Sequence, residues 1–360
     1  MNATIHTLHA LGQSIWLDNL SRHLLASGTL LSYLRDYSVT GLTSNPTIFD
    51  HAIKNSNDYD DVIRRKVEEG KSGDALFFAL AIEDIRQAAD IFQPVHKQTD
   101  GVDGWVSLEV SPLLVYETQS TLAAAKTLHK MTERSNLFIK IPGTSNGLVA
   151  VEEAIYEGIP VNVTLLFSGE QYAAAAEAYL RGIERRIVAG RNPDVASVAS
   201  LFVSRWDVAV ANRAPRELHN QLGIAIAQDA YAKYRTLLES PRWRRALNAG
   251  ARSQRLLWAS TGTKDPQASA TLYVEALALP FTINTMPEAT LKAVADHEEF
   301  DEALQADSHV VLAAFAKAGI NTDALAKQLL SEGVESFNKS WNELLDCIAL
   351  KAKTFTVAPV

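Results

Sequence analysis

The chain has 360 residues, of which 47% are hydrophobic and 21% are charged, and its formal net charge is -8. That length can bury a large core, and a single α/β barrel with additions would use all of it. The negative charge argues against nucleic acid as a partner. An anionic substrate would need positive charge concentrated at its binding site.

Cysteine content and hydropathy predict the compartment. The only cysteine, Cys347, rules out an internal disulfide and is typical of a reducing cytoplasm. No apolar run reaches the roughly 18 to 20 residues that a membrane span needs, and residues 1–11 lack the layout of a secretory signal. We therefore predict a cytoplasmic protein with no membrane partner.

Short β-rich segments alternate with helical patterns along the chain. This alternation predicts right-handed βαβ units, and eight of them close most naturally into a (β/α)8 TIM barrel. An open doubly wound sheet is the alternative, but it favours a glycine-rich loop after the first strand, and the sequence has none there. The predicted strands are residues 15–18, 39–44, 106–110, 137–141, 160–165, 197–203, 255–260 and 281–285.

Two further regions predict helices in addition to the barrel. Residues 55–103 are longer than a simple connection, and residues 306–353 have the pattern of two or three amphipathic helices. We see no linker and no repeat, so we predict a single domain over residues 1–360. A homodimer remains open, because a helix stripe that packs on the barrel looks like one that packs on a partner.

A lysine interrupts the apolar run of the fourth predicted strand, residues 137–141. Burying an ammonium costs several kcal/mol unless it is paired or loses its proton. A neutral amine is a nucleophile for carbonyls, so Lys140 is a candidate catalytic residue. The alternative is a lysine on an edge strand that faces water.

Side-chain alternation along parallel strands predicts which residues point into the barrel. In the fifth strand, for example, Val161, Val163 and Leu165 are expected to face the helices. The polar residues predicted inside are Asp18, Ser107, Glu109, Lys140, Asn162 and Thr164. They fall near the carboxyl ends of their strands, where barrel enzymes build their sites.

Each of these residues also has a structural alternative. Asp18 could cap the next helix, Glu109 could be a solvated loop carboxylate, and Asn162 and Thr164 could satisfy buried backbone groups. Together, however, an amine, two carboxylates, an amide and a hydroxyl indicate Schiff-base chemistry, in which a carboxylate moves the protons and desolvation favours the neutral amine. Metal-ligand and serine-triad patterns are absent, so no cofactor is predicted.

Two segments after late strands predict a phosphate site. Ser200 and Arg205 belong to the segment around the end of the sixth strand, and Arg205 could bind a phosphate through its forked guanidinium. Ser260 ends the predicted seventh strand, and Lys264 follows it among small and hydroxylated residues. For Lys264, a solvated cation in a turn is the alternative.

In these residues the chain resembles transaldolases, in particular their longer bacterial branch, from about Leu11 to Pro287. The matching motifs stand in the order in which the family has them. They are Trp16–Arg22, Gly41–Phe49, Val106–Val110, Ile139–Thr144, Asn162–Ser168, Trp258–Lys264 and Asn284–Pro287.

The resemblance implies a role for each matched residue. Lys140 corresponds to the Schiff-base lysine, Asp18 to the acid/base at the C4 hydroxyl, and Glu109 with Thr164 to the pair that positions a water. Phe202 lies where the related fructose-6-phosphate aldolases carry tyrosine. The implied substrate contacts are Thr43, Asn45, Asn162, Ser200, Phe202, Arg205, Ser260 and Lys264.

The implied reaction moves a dihydroxyacetone unit from sedoheptulose 7-phosphate or fructose 6-phosphate to glyceraldehyde 3-phosphate or erythrose 4-phosphate, in the non-oxidative pentose phosphate pathway. One rival function is an aldolase-like lyase that releases dihydroxyacetone. Phe202 disfavours it, because a phenyl ring cannot help to place a water that protonates the enamine. The other rival is a non-catalytic barrel that binds sugar phosphates.

Overall fold

The computed structural model describes residues 2–297 and 307–356. Eight parallel strands form a closed barrel in sequence order, and β8 pairs with β1. This confirms the predicted (β/α)8 barrel and excludes the open doubly wound sheet. The strands are β1 (Ser14–Asp18), β2 (Gly41–Thr43), β3 (Trp105–Glu109), β4 (Leu137–Pro142), β5 (Val161–Leu166), β6 (Ser197–Phe202), β7 (Gln254–Ala259) and β8 (Thr282–Met286).

The helices surround the barrel. Two short 3₁₀ helices, Pro112–Leu114 and Arg216–Leu218, accompany them. The α-helices in the described ranges are α1 (Ala3–Ala10), α2 (Arg22–Ala26), α3 (Thr29–Asp36), α4 (Pro46–Lys54), α5 (Asp60–Glu68), α6 (Gly73–Gln98), α7 (Thr118–Thr132), α8 (Ser145–Glu157), α9 (Gly169–Val188), α10 (Ser204–Val210), α11 (Leu222–Glu239), α12 (Pro241–Asn248), α13 (Leu272–Ala276), α14 (Glu288–Asp296), α15 (Ser308–Lys317) and α16 (Thr322–Thr356).

Several strand ends differ from the prediction. Ser260 and Phe281 have φ angles of 56° and 61°, in the left-handed region outside the extended conformation of a regular strand. The seventh strand therefore ends at Ala259, and the eighth begins at Thr282. The second strand is also shorter than predicted.

The predicted orientation of Leu165 is wrong. The pairing of β5 with β6 shifts register between Val163 and Leu166, and Leu165 has a φ of 59°. This bulge turns Leu165 towards the cluster that contains Phe202, while Leu166 takes the place against the outer helices. Strict alternation fails here because a bulge adds one residue to one strand only.

Aromatic rings fill the amino half of the barrel interior. The rings of Trp105 and Phe138 stack with centroids 4.1 Å apart, and Trp16 lies 6.3 Å from Phe138. Gly41 is required beside them, because a Cβ there would lie 2.5 Å from the Trp16 indole. The interior at the carboxyl ends of the strands is instead lined by polar side chains such as those of Asp18, Lys140 and Thr164.

The additional helices lie where the sequence predicts helical structure. Helices α5 and α6 follow β2, and α16 packs against α4, α5 and α6. The Trp341 ring of α16 meets the Phe77 ring edge-on at 4.9 Å. Ala306, the first residue of the predicted carboxyl-terminal segment, lies outside the described residues. Over the described ranges, no helix combines the length and apolarity that a membrane span requires.

Candidate active site

A cavity of about 520 Å³ opens at the carboxyl ends of the strands. It brings together the residues predicted for the site, except for Glu109 and Asn162. These two residues are buried and contact residues that line the cavity. The predicted site residues in its wall are Asp18, Thr43, Asn45, Lys140, Thr164, Ser200, Phe202, Arg205, Ser260 and Lys264.

Lys140 points inward from β4 and is only 5% exposed. Its Nζ donates a hydrogen bond to the Ser44 carbonyl oxygen at 3.0 Å and lies 3.3 Å from Glu109 Oε2. The register of β3 with β4 sets Glu109 directly opposite Lys140, so both side chains enter the barrel at one level. The alternative of an edge-strand lysine facing water is therefore wrong.

Glu109 is a buried carboxyl group with few partners. It is 3% exposed, and among the described residues neither of its oxygens has a partner with hydrogen-bond geometry. Burial raises the pKa of Glu109; the Lys140 ammonium opposes this rise, and Asp18 adds to it. This environment excludes the solvated loop carboxylate and favours a group that exchanges protons with a nearby amine.

Asp18 ends β1 at the cavity wall. Its Oδ1 accepts a hydrogen bond from the Thr43 hydroxyl at 2.7 Å. Removal from water raises the pKa of Asp18, against the opposing effects of Lys140, the Thr43 hydrogen bond and Lys264. The next helix is capped by Ser21, whose side chain accepts from the Leu24 N–H at 3.1 Å, so the capping alternative for Asp18 is wrong.

Asn162 and Thr164 occupy the same interior face of β5. Asn162 Oδ1 accepts from the Ser200 hydroxyl at 2.7 Å, and its Nδ2 donates to Ser107 Oγ at 3.2 Å. The Thr164 hydroxyl is buried and has no hydrogen-bond partner in the described part of the chain. Neither side chain satisfies a buried backbone group. An unpaired buried hydroxyl is costly and marks a place for a water or a substrate atom.

Positive charge gathers on the β6 and β7 side of the cavity. Arg205 lies in the first turn of α10, and Lys264 is exposed at the rim. Neither forms an ion pair within residues 2–297 and 307–356, so both charges are free for an anion. Ser260 lies next to them, and its hydroxyl is 2.8 Å from that of Ser204.

Asn45 combines a structural position with a place in the cavity wall. Its Oδ1 accepts from the Ile48 N–H at 3.1 Å and so caps α4. Its Nδ2 is then the group left to donate to a ligand.

Some residues of the site were not predicted. Thr285 of β8 lines the cavity, and the alternation rule would have found it had it been applied to the eighth strand. Phe337 reaches the cavity from α16, and Ser44 contributes a backbone carbonyl to Lys140. For these two residues the sequence carries no local signal.

The fold and the cavity together define a (β/α)8-barrel enzyme whose polar residues converge at the carboxyl ends of the strands. The family model described as Transaldolase/Fructose-6-phosphate aldolase matches residues 15–348. The chain belongs to this family.

Full-length relatives agree with this membership. A transaldolase of Frankia alni is 43% identical over 97% of both chains. One of Saccharopolyspora erythraea is 44% identical over 96% of this chain and 97% of its own. One of Thermobifida fusca is 43% identical over 99% of this chain and all of its own.

Proposed function

We propose that the protein is a transaldolase that transfers a dihydroxyacetone unit from a ketose phosphate to an aldose phosphate. The observation that carries this proposal is the buried Lys140 amine, 3.3 Å from Glu109 and in one cavity with Asp18 and Arg205. The donors are sedoheptulose 7-phosphate and fructose 6-phosphate. The acceptors are glyceraldehyde 3-phosphate and erythrose 4-phosphate.

Imine formation is the first chemical step. The neutral Lys140 amine adds to the C2 carbonyl of the ketose, and the resulting hydroxyl leaves as water after it receives a proton. Glu109 supplies that proton, because its carboxyl group lies 3.3 Å from Lys140 Nζ and burial raises its pKa. The unpartnered Thr164 hydroxyl holds the departing water, and it holds the entering water when the imine is hydrolysed.

Carbon–carbon cleavage follows at C3–C4. Asp18 accepts the proton of the C4 hydroxyl, the C4–O bond becomes a carbonyl, and the electrons of the C3–C4 bond move into the iminium. The aldose phosphate leaves, and the three-carbon unit stays on Lys140 as an enamine. A second aldose phosphate accepts this unit by the reverse steps, in which Asp18 returns the proton.

The phosphate binds on the positive side of the cavity. Arg205 donates paired hydrogen bonds to it, Ser260 adds a hydroxyl, and Lys264 adds charge at the rim. Substrate hydroxyl groups bind the polar side chains nearer to Lys140, namely Thr43, Asn45, Asn162 and Ser200. This division fixes the distance from the phosphate to the reacting carbons.

The proposal also includes the pathway and the compartment in which the protein acts. We infer that the protein acts in the non-oxidative pentose phosphate pathway of the cytoplasm, with sugar phosphates as its partners. The name of the relatives and the single cysteine support this inference. The single domain over residues 1–360 and the homodimer stay predictions.

Borohydride trapping tests the proposal directly. Fructose 6-phosphate and borohydride should leave a reduced three-carbon adduct, detected by intact mass and located on Lys140 by peptide mapping. Folded protein that binds fructose 6-phosphate but yields no adduct would instead be the non-catalytic binding barrel.

The rival lyase function differs from the proposed transferase in what happens to the three-carbon unit on Lys140. Phe202 is 9% exposed and packs against Phe167, with ring centroids 5.4 Å apart. Its ring has no polar group that could hold a water at the enamine. Without an acceptor we expect at most one equivalent of aldose phosphate per site. Continuous release of dihydroxyacetone would identify the lyase.

A further inference from the structure

Three neighbouring strands bring two hydroxyl groups and one carboxylate into a chain of hydrogen bonds. Thr285 of β8 and Thr43 of β2 flank Asp18 of β1, at the place where the barrel closes. The hydroxyl oxygens of Thr43 and Thr285 are 2.7 Å apart, and Thr43 Oγ1 is 2.7 Å from Asp18 Oδ1. Thr43 is 2% exposed and Thr285 is 3% exposed.

The protons in this chain of hydrogen bonds have only one arrangement while Asp18 is ionised. A carboxylate can only accept, so Thr43 donates its single hydroxyl proton to Asp18 Oδ1. Thr43 then has no proton left for Thr285. Thr285 must therefore donate its own proton to Thr43, and both hydroxyl dipoles point towards the carboxylate.

We propose that Thr285 is a positioning residue that acts through Thr43 to keep Asp18 ionised and to direct the transferred proton to Oδ2. Oδ1 is occupied by the Thr43 hydroxyl, so the proton from the substrate C4 hydroxyl goes to the other oxygen. This inference rests on the proposed function, in which Asp18 accepts that proton. Chains of hydroxyl groups polarise one another, so the second hydroxyl strengthens the bond that the first one makes.

The other charges that face Asp18 come from different elements. Lys140 of β4 and Lys264 after β7 lower its pKa, and Glu109 of β3 interacts with it as a like charge. A substitution at position 285 removes none of these groups. An effect of that substitution on Asp18 would therefore pass through the hydroxyl chain.

The backbone of Thr285 is held independently of its hydroxyl group. Its position opposite Trp16 comes from the pairing of β8 with β1, and its carbonyl accepts from the Thr261 hydroxyl at 3.2 Å. Valine has the same branched shape as threonine and is likewise restricted at χ1. Thr285→Val is thus a change in hydrogen bonding with little change in shape.

The test is the pH profile of kcat/KM, which reports the ionisation of the free enzyme. Because loss of the hydroxyl raises the pKa of Asp18, we expect the acid limb of Thr285→Val to move to higher pH. On that limb kcat/KM should fall about threefold to tenfold, the effect of one hydrogen bond. Thr285→Ser keeps the hydroxyl and should restore the wild-type profile.

Thr282→Val is the matched control on the same strand. Thr282 is buried at the amino end of β8, and its hydroxyl accepts from Gln13 Nε2 at 2.8 Å. It should lower stability and leave the pH profile unchanged. A Thr285→Val profile that superimposes on that of the wild type would overturn the proposal, as would a Thr285→Ser profile shifted equally.

A double-mutant cycle separates action through Thr43 from direct action. In a Thr43→Val background, Thr285→Val should cause no further shift of the acid limb. Additive shifts would contradict the proposal. Failure of the proposed function would look different, because the wild-type protein would then give no borohydride adduct on Lys140.

Discussion

The two ends of the barrel bury the same kinds of group and connect them differently. At the amino end, Asp103 accepts from Ser14 Oγ at 2.6 Å and from Trp16 Nε1 at 3.0 Å, and it pairs with Arg255 at 3.3 Å. At the carboxyl end, Glu109 has Lys140 at ion-pair distance but no partner with hydrogen-bond geometry in the part of the chain that the structure describes.

This difference separates a structural network from a reactive one. A fully satisfied buried network is rigid and contributes to a unique core, whereas unpaired buried groups are costly unless a ligand binds them. The Asp103 network therefore stabilises the fold, and the groups of Glu109 and Thr164 that lack a hydrogen-bond partner in the described ranges keep their hydrogen-bonding capacity for a substrate or a water. Substitutions at the two ends should accordingly affect different measurements.

Lys140→Ala should produce the largest effect. Without the amine no imine forms, and we expect transfer to fall by more than about 10⁴-fold, as when other covalent nucleophiles are removed. Folding should survive, because Glu109, whose pKa burial raises, can bind a proton once the Lys140 cation is removed. Coupled enzyme assays measure the loss of transfer, and borohydride trapping measures the loss of the imine. Lys264→Ala should still form the adduct, and substantial transfer by Lys140→Ala would contradict the assignment.

Arg255→Met should have the opposite effect, a loss of stability with no loss of activity. It leaves the Asp103 carboxylate buried without its cation, so the free energy of unfolding should fall by about 3–5 kcal/mol. Urea unfolding followed by circular dichroism measures this change. The kcat of the folded protein should stay the same, and a lower kcat at unchanged stability would show that the two ends are not separate.

Asp207→Asn tests a buried carboxylate that lies outside the catalytic cavity. Asp207 accepts from the Leu222 and Gly223 N–H groups at 3.0 and 3.2 Å and from the Tyr273 hydroxyl at 2.9 Å. Burial outweighs these bonds and raises the pKa of Asp207 to about 6. The folded protein thus binds this proton more tightly than the unfolded chain does.

The sign of the resulting pH effect follows from this difference. The stabilisation is present below pH 4 and is lost as the pH rises to about 6 and beyond. Asparagine does not titrate, so the stability of the wild type relative to Asp207→Asn should fall by up to roughly 3 kcal/mol between pH 4 and pH 7. Urea unfolding at several pH values measures this difference in stability. Parallel curves of stability against pH for the two proteins would refute the prediction.

Arg205→Met should act mainly on substrate binding. Loss of a charge-assisted hydrogen bond to the phosphate should raise KM about 10-fold to 100-fold, with a smaller change in kcat. Inorganic phosphate should inhibit the variant less. Arg213→Met, an exposed arginine outside the cavity, is the control. An unchanged KM would exclude Arg205 from the phosphate site.

Much of the fold and of the site was predictable because strand alternation is a local property. The alternation correctly directs Lys140 and Glu109 inward, and it fails at Leu165, where a bulge shifts the register between two strands. The contribution of Phe337 to the cavity could not be predicted, for another reason. Its place in the cavity depends on how α16 packs against helices distant in sequence.

The sequence by itself determined the eight strands, the inward polar residues and, through its motifs, the family. These properties follow from neighbouring residues and from short segments that keep their order. The tertiary structure alone decided the contacts between strands, such as the hydroxyl pair of Thr43 and Thr285, 242 positions apart. Closure of the barrel brings those two strands to either side of β1, and closure depends on the packing of the whole chain rather than on any segment.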